Sequence, residues 1–118
     1  MRRRIVQEER VVGATPFEQY ADVPDPDAAF AAARQSALHQ HGHGGYTGSL
    51  AEKDSYLVIT STPVSPDQAK ALAADLIRRA DPRIDDKWGP AGAIAVCRAA
   101  AGLVAGVDGW LFFGWASS

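Results

Sequence analysis

Two segments of the chain carry apolar residues at helical spacing. In the first, the apolar positions are Phe30, Ala33, Ala37 and Leu38. Asp25 is placed to cap the amino end of this segment, and Pro26 suits the first position of a helix. Gly42 follows the last turn, where a glycine can adopt the left-handed conformation of a C-cap. The pattern predicts a helix over residues 26–41.

The second helical segment begins with Ser65-Pro66-Asp67-Gln68, which has the spacing of a capping box with proline at the first helical position. Its apolar face consists of Ala69, Leu72, Ala73, Leu76, Ile77 and Ala80. Asp81-Pro82 follows, and a residue before proline disfavours helical geometry. A second helix is therefore predicted over residues 66–80.

Runs of β-branched and aromatic residues predict the strands. Residues 55–60, 92–98 and 109–116 have this composition and form the predicted sheet. Two weaker segments add to it. Residues 2–14 predict an edge strand or an extended arm, and residues 49–53 favour a strand that pairs with 55–60 as a hairpin.

The order of these elements predicts an α+β fold. We expect a two-layer sandwich, with a mainly antiparallel or mixed sheet of four or five strands and both helices on one face. A length of 118 residues suits a single domain over residues 1–118. Within it, residues 1–24 are expected to form the N-terminal strand or arm and a connector.

The last predicted strand is apolar on both faces. Trp110 and Phe112 point to one side, and Leu111, Phe113 and Trp115 point to the other. Helices on a single face leave the second side without a helix to cover it. Three alternatives follow: cover by loops and the N-terminal arm, the interface of a two-fold homodimer, or the wall of a ligand pocket.

Charge and composition exclude several classes of function. Twelve basic and fourteen acidic residues give a net charge of −2, so nucleic acid is not an expected partner. The single cysteine, Cys97, excludes a disulfide framework and a cysteine-based zinc site. Acidic residues follow Arg2–Arg4 where a signal peptide needs an apolar run, and residues 91–116 are interpreted as two strands rather than a membrane span. We therefore expect a cytoplasmic protein with no membrane partner.

Three histidines occur at alternate positions after the first predicted helix. His39, His41 and His43 have a residue type that commonly binds metals, so they are weak candidates for a metal site. The alternative is structural, because histidine near the carboxyl end of a helix is favoured by the helix dipole.

Two loops carry the candidate ligand site. The glycine-rich loop at 42–48 and the loop at 85–90 combine flexible backbone amides with aromatic and charged side chains. The candidate binding residues are Gly45, Tyr46, Thr47, Gly48, Glu52, Lys53, Lys87 and Trp88. The structural alternatives are that the glycines serve turn geometry and that Trp88 plugs an edge of the core. For the ligand site, Lys53 and Lys87 are expected to be exposed, with a loss of under about 0.5 kcal/mol on substitution.

The same segments carry a resemblance. Gly45-Tyr46-Thr47-Gly48 with Ala51-Glu52-Lys53, the run from Lys87 to Gly92, and the ending Phe112 to Ser117 are similar to a group of small proteins encoded by bacteriophages and by actinobacteria or archaea. The resemblance spans residues 45–118. It implies an accessory gene of a phage or its host as the setting, and it implies no reaction.

No nucleophile with an adjacent base and no spaced carboxylate pair is recognisable in the sequence. We therefore predict a non-catalytic binding protein that takes a small anionic or nucleotide-like ligand, or a host protein, through its glycine-rich loop. The alternatives are a metal-dependent enzyme that uses the histidines and a structural homodimer. The sequence identifies no cofactor.

Overall fold

A computed structural model describes residues 13–42, 47–98 and 106–118. The secondary structure in these ranges is, in chain order, β1 (Ala14–Ala21), α1 (Pro26–His41), β2 (Tyr56–Val64), α2 (Pro66–Arg78), β3 (Ala91–Val96) and β4 (Gly109–Ser117). A short 3₁₀ turn, Leu50–Glu52, lies between α1 and β2. Two helices and a four-stranded mixed sheet confirm the predicted α+β class.

The sheet has the strand order β1-β4-β3-β2. β4 pairs antiparallel with β1 and with β3, whereas β3 pairs parallel with β2. In this register Val96 lies beside Gly109, and Ala21 lies beside Trp110. The carboxyl ends of β1, β2 and β3 therefore share one edge of the sheet, which we call the carboxyl edge. The opposite side, where β2 and β3 begin, is the amino edge.

Each helix covers a different face of the sheet. The buried alanines of α1 belong to one core cluster with Ala93 and Phe112. Ala73 and Leu76 of α2 belong to a second cluster with Ile94. Because neighbouring strand residues point to opposite faces, the two clusters lie on opposite sides of the sheet. The structure thus corrects the predicted placement of both helices on one face.

This arrangement accounts for the two apolar faces of β4. Phe112 lies in the cluster under α1, whereas Leu111 and Phe113 lie in the cluster under α2. A strand covered on both faces is expected to be apolar on both. The second face is therefore covered by α2 together with Ile84 from the loop after it, and the homodimer and the ligand pocket stay predictions.

Two segments differ from the prediction. Ala14–Ala21 forms β1, paired with β4 over its full length, where a connector was expected; of the predicted strand or arm at 2–14, residues 2–12 lie outside the described residues. Residues 49–53 form no strand. The Ser49 hydroxyl accepts a hydrogen bond from the Ala51 N–H at 3.2 Å, and the Lys53 N–H donates to the Leu50 carbonyl at 2.9 Å. These local bonds compete with strand pairing and favour the 3₁₀ turn.

The helix caps confirm the local signals. Asp25 accepts a hydrogen bond from the Ala28 N–H at 2.9 Å, and Gly42 ends α1 with a φ of 87°. Ser65 and Gln68 form the predicted capping box. Neither helix in the described part of the chain has the length and apolar character needed to cross a membrane.

Candidate functional site

At the amino edge, Lys53 joins the segment that follows the 3₁₀ turn to the 85–90 loop. The Lys53 Nζ donates to the carbonyl oxygens of Gly89 at 2.8 Å, Lys87 at 3.0 Å and Asp86 at 3.3 Å. Its side chain is only 1% exposed. Burial lowers the pKa of this ammonium from 10.5 to about 8, and Asp86 acts in the opposite direction. The expectation of an exposed Lys53 is therefore wrong, because this side chain holds the 86–89 loop in place.

The described part of the glycine-rich loop is also bonded within the protein. Glu52 Oε2 accepts from the Thr47 N–H at 2.9 Å and from the Thr47 hydroxyl at 2.8 Å. The Gly48 N–H donates to the Ser117 carbonyl at 2.8 Å. A Cβ on Gly48 would lie 2.9 Å from the Thr15 Cβ, so the glycine permits close packing on β1. Gly45 and Tyr46 lie outside the described residues.

Lys87 and Trp88 form the outer part of the 85–90 loop. The Lys87 Nζ donates to the Gly13 carbonyl at 3.2 Å and lies 5.3 Å from the centre of the Trp88 ring. Trp88 is 67% exposed. The alternative in which this tryptophan plugs an edge of the core is therefore wrong.

The candidate metal site has two of its three histidines in the described chain. His39 and His41 lie exposed in the last turn of α1, and His43 is outside the described ranges. Positions two apart on an α-helix are separated by about 200° around its axis, so these imidazoles point in different directions. Within 13–42, 47–98 and 106–118 there is no group of three or more His, Cys, Asp or Glu side chains arranged to hold a metal ion.

A pocket that the sequence analysis did not predict lies at the carboxyl edge. It has a volume of about 200 Å³ and is lined by Tyr20, Pro66, Ala69, Lys70, Val96, Arg98 and Leu111. It lies where the amino end of α2 meets the carboxyl end of β3. In open sheets with parallel strands, ligands bind outside the carboxyl ends of those strands. We call it the carboxyl-edge pocket.

The walls of this pocket are apolar and its charges are basic. Pro66, Val96 and Leu111 contribute the apolar surface, while Lys70 and Arg98 supply the charges. The Arg98 guanidinium carbon lies 5.1 Å from the centre of the Tyr20 ring, a cation–π distance that orients it. Neither basic side chain forms an ion pair with a carboxylate of the described residues. Both charges are therefore available to an anion.

Tyr20 contributes a hydrogen-bonded hydroxyl to the pocket. The hydroxyl donates to Asp22 Oδ1 at 3.2 Å. Burial and the bond to Asp22 raise the pKa of Tyr20 above its usual 10.0. This side chain therefore stays neutral at physiological pH, with its proton directed to Asp22.

Sequence reasoning missed Tyr20, Lys70 and Arg98 as pocket residues. The sequence does contain a signal for this site, namely the strand–helix–strand order over residues 56–96. This order is the pattern of a parallel β-α-β unit. Such a unit places the end of its second strand beside the start of its helix. The candidate site then follows from topology rather than from an unusual local sequence.

Comparisons with known proteins assign no family to the chain. A scan against protein-family models, a search of curated proteins and a search of solved structures each found no match. The resemblance to small phage and actinobacterial proteins therefore stays a prediction based on motifs.

Proposed function

We propose that the protein is a small, non-catalytic, cytoplasmic binding protein whose carboxyl-edge pocket takes an organic anion with an apolar body. The observation that carries the proposal is the pair Lys70 and Arg98, unpaired with any described carboxylate, on an otherwise apolar cleft. Ligand sites combine apolar walls with a few convergent polar groups. Arg98 is suited to a carboxylate or a phosphate, because a guanidinium binds either group in a bidentate manner.

The dimensions of the pocket limit the ligand. Drug-sized molecules occupy pockets of roughly 300 Å³ or more, whereas this pocket holds about 200 Å³. A metabolite with a short apolar chain or one small ring matches this volume. Both basic residues reach solvent, so their attraction for the anion is screened by salt and binding is expected to weaken as ionic strength rises.

The proposal keeps the predicted class of protein and moves the site. Glu52 and Lys53 form hydrogen bonds within the protein at the amino edge, so the proposed ligand site does not include them. The host-protein partner, the metal-dependent enzyme and the structural homodimer stay predictions.

A matched pair of ligands tests the proposal. We expect 4-methylpentanoate to bind saturably in isothermal titration at low salt, and its uncharged amide to bind at least tenfold more weakly. Replacement of Arg98 by glutamine is expected to cause a similar loss for the carboxylate, because the anion loses one of its two cations.

Lys87→Gln is the control, since Lys87 lies at the opposite edge of the sheet and is expected to leave the affinity unchanged. The proposal fails if Lys87→Gln weakens binding while Arg98→Gln does not. It also fails if the unaltered protein binds none of 4-methylpentanoate, benzoate and phenyl phosphate saturably.

A further inference from the structure

Two carboxylates lie on the side of the carboxyl-edge pocket where the Tyr20 hydroxyl is found. Asp22 Oδ1 accepts the hydroxyl proton at 3.2 Å. Asp108 Oδ2 accepts a hydrogen bond from the backbone N–H of Arg98 at 2.6 Å, which leaves the guanidinium without a bond to this carboxylate. Gly109, the next residue after Asp108, lies so close that a Cβ on it would be 2.3 Å from Tyr20 Oη. Acidic groups thus lie near the hydroxyl end of Tyr20, while the Arg98 guanidinium lies 5.1 Å from the centre of its ring.

The Tyr20 hydroxyl presents an acceptor to a ligand. Its one proton is directed to Asp22, so only lone pairs on Oη remain for another contact. Negative charge on Asp22 and Asp108 adds to the attraction for a positive donor. An ammonium has three N–H donors and a positive charge, and it meets both requirements.

Two basic and two acidic side chains surround the pocket, so their formal charges cancel. Lys70 and Arg98 are positive, and Asp22 and Asp108 are negative. A ligand with several negative charges gains from the first pair and is repelled by the second. A ligand with one negative and one positive group, separated by a short distance, is attracted by both pairs.

We propose that the ligand is a zwitterion with an apolar side chain, a hydrophobic amino acid by chemical class. Its carboxylate binds Lys70 and Arg98, and its ammonium binds Tyr20 Oη beside Asp22. Its side chain lies on the apolar wall that includes Leu111. This inference rests on the proposed function, because it adds a second charge to the same ligand in the same pocket.

Three ligands with one carbon skeleton test the inference. The full chain is titrated with L-leucine, with 4-methylpentanoate, which lacks the amine, and with 3-methylbutylamine, which lacks the carboxylate. We expect L-leucine to bind at least tenfold more tightly than either analogue. The comparison is repeated with L-valine against 3-methylbutanoate and with L-phenylalanine against 3-phenylpropanoate. These pairs have smaller and larger side chains, so they also test which side-chain size packs best on the apolar wall.

The outcomes separate this inference from the proposed function. If the carboxylates bind as tightly as their amino acids, the zwitterion is excluded and the organic anion stands. If neither the carboxylates nor the amino acids bind, both proposals fail.

Asp22→Asn tests the role of the carboxylate directly. Asparagine keeps an acceptor for the Tyr20 hydroxyl and removes the negative charge. The preference for L-leucine over 4-methylpentanoate is expected to fall at least fivefold in this variant. Asp54→Asn, a change at an exposed aspartate of the amino edge, is expected to leave the preference unchanged. An unchanged preference in Asp22→Asn overturns the inference.

Discussion

Replacement of Gly109 by alanine is expected to lower the free energy of unfolding by about 3 kcal/mol or more. A Cβ at this position would lie 2.4 Å from the Ala21 carbonyl oxygen and 2.3 Å from Tyr20 Oη. The first contact is with backbone, so a side-chain rotation cannot relieve it. The end of β1 has to move away from β4, which disrupts the pairing of Ala21 with Trp110. Urea denaturation followed by circular dichroism measures the loss.

Gly106→Ala is the matched control. A Cβ on Gly106 meets nothing within 4 Å. Alanine also reduces the conformational freedom of the unfolded chain, so this variant is expected to be neutral or up to about 1 kcal/mol more stable. Equal urea midpoints for the two alanine variants would contradict the close approach of β1 and β4 at Gly109.

The second large effect is expected at Lys53. Lys53→Met keeps the length of the side chain and removes the donor, so the carbonyls of Lys87 and Gly89 lose the hydrogen bonds that Lys53 donates to them. Each buried acceptor left without a donor costs about 1–3 kcal/mol. Relief of the buried charge offsets part of this cost. We expect a net loss of about 3 kcal/mol, which corresponds to a decrease in Tm of roughly 10 °C.

Lys87→Met provides the comparison, because the Lys87 Nζ donates to a single carbonyl, that of Gly13, at 3.2 Å. Its expected cost is below about 1 kcal/mol. Similar losses of Tm in the two methionine variants would contradict the assignment of Lys53 as the residue that holds the 86–89 loop.

The difference in stability between the unaltered protein and Lys53→Met is expected to depend on pH, because Lys53 titrates. The pKa is 10.5 without burial and about 8 in the folded protein. Between these values the unfolded chain binds more protons than the folded protein, so the free energy of unfolding rises with pH. The stability of the unaltered protein relative to Lys53→Met is therefore expected to be constant below pH 7 and to increase from pH 8 to pH 10.5. A decrease over that range would show that the carbonyls stabilise the ammonium more than burial destabilises it.

Elements governed by neighbouring residues were predictable from the sequence. The boundaries of α1 follow from Asp25, Pro26 and Gly42, and the start of α2 follows from Ser65 and Gln68. In each case the hydrogen-bond partners lie within four residues along the chain. The capping chemistry therefore acts in the same way whatever the rest of the fold does.

Elements governed by distant residues were not predictable in the same way. The position of β1 depends on β4, because Ala14 pairs with Ser117 and Ala21 with Trp110. Lys53 is buried because carbonyls more than thirty residues along the chain surround its ammonium. A sequence pattern indicates that a lysine is charged, but it does not show which backbone groups the fold brings to it.

The candidate site illustrates the same limit. Tyr20, Lys70 and Arg98 are far apart in sequence and belong to no common motif. The parallel pairing of β2 with β3 and the position of β1 bring them to one edge of the sheet. The ligand site was predicted at the glycine-rich loop because its local sequence is unusual. In the structure, the described residues of this loop form hydrogen bonds within the protein.

Amide chemical shifts during a ligand titration test the central claim, that the protein binds a small organic anion at the carboxyl edge. Two-dimensional ¹H–¹⁵N spectra of the unaltered protein are recorded with increasing L-leucine and, separately, 4-methylpentanoate. We expect saturable shifts concentrated at the amides of Tyr20, Lys70 and Arg98. Shifts concentrated at residues 47–53 and 86–89, or no saturable shifts with either compound, would contradict it.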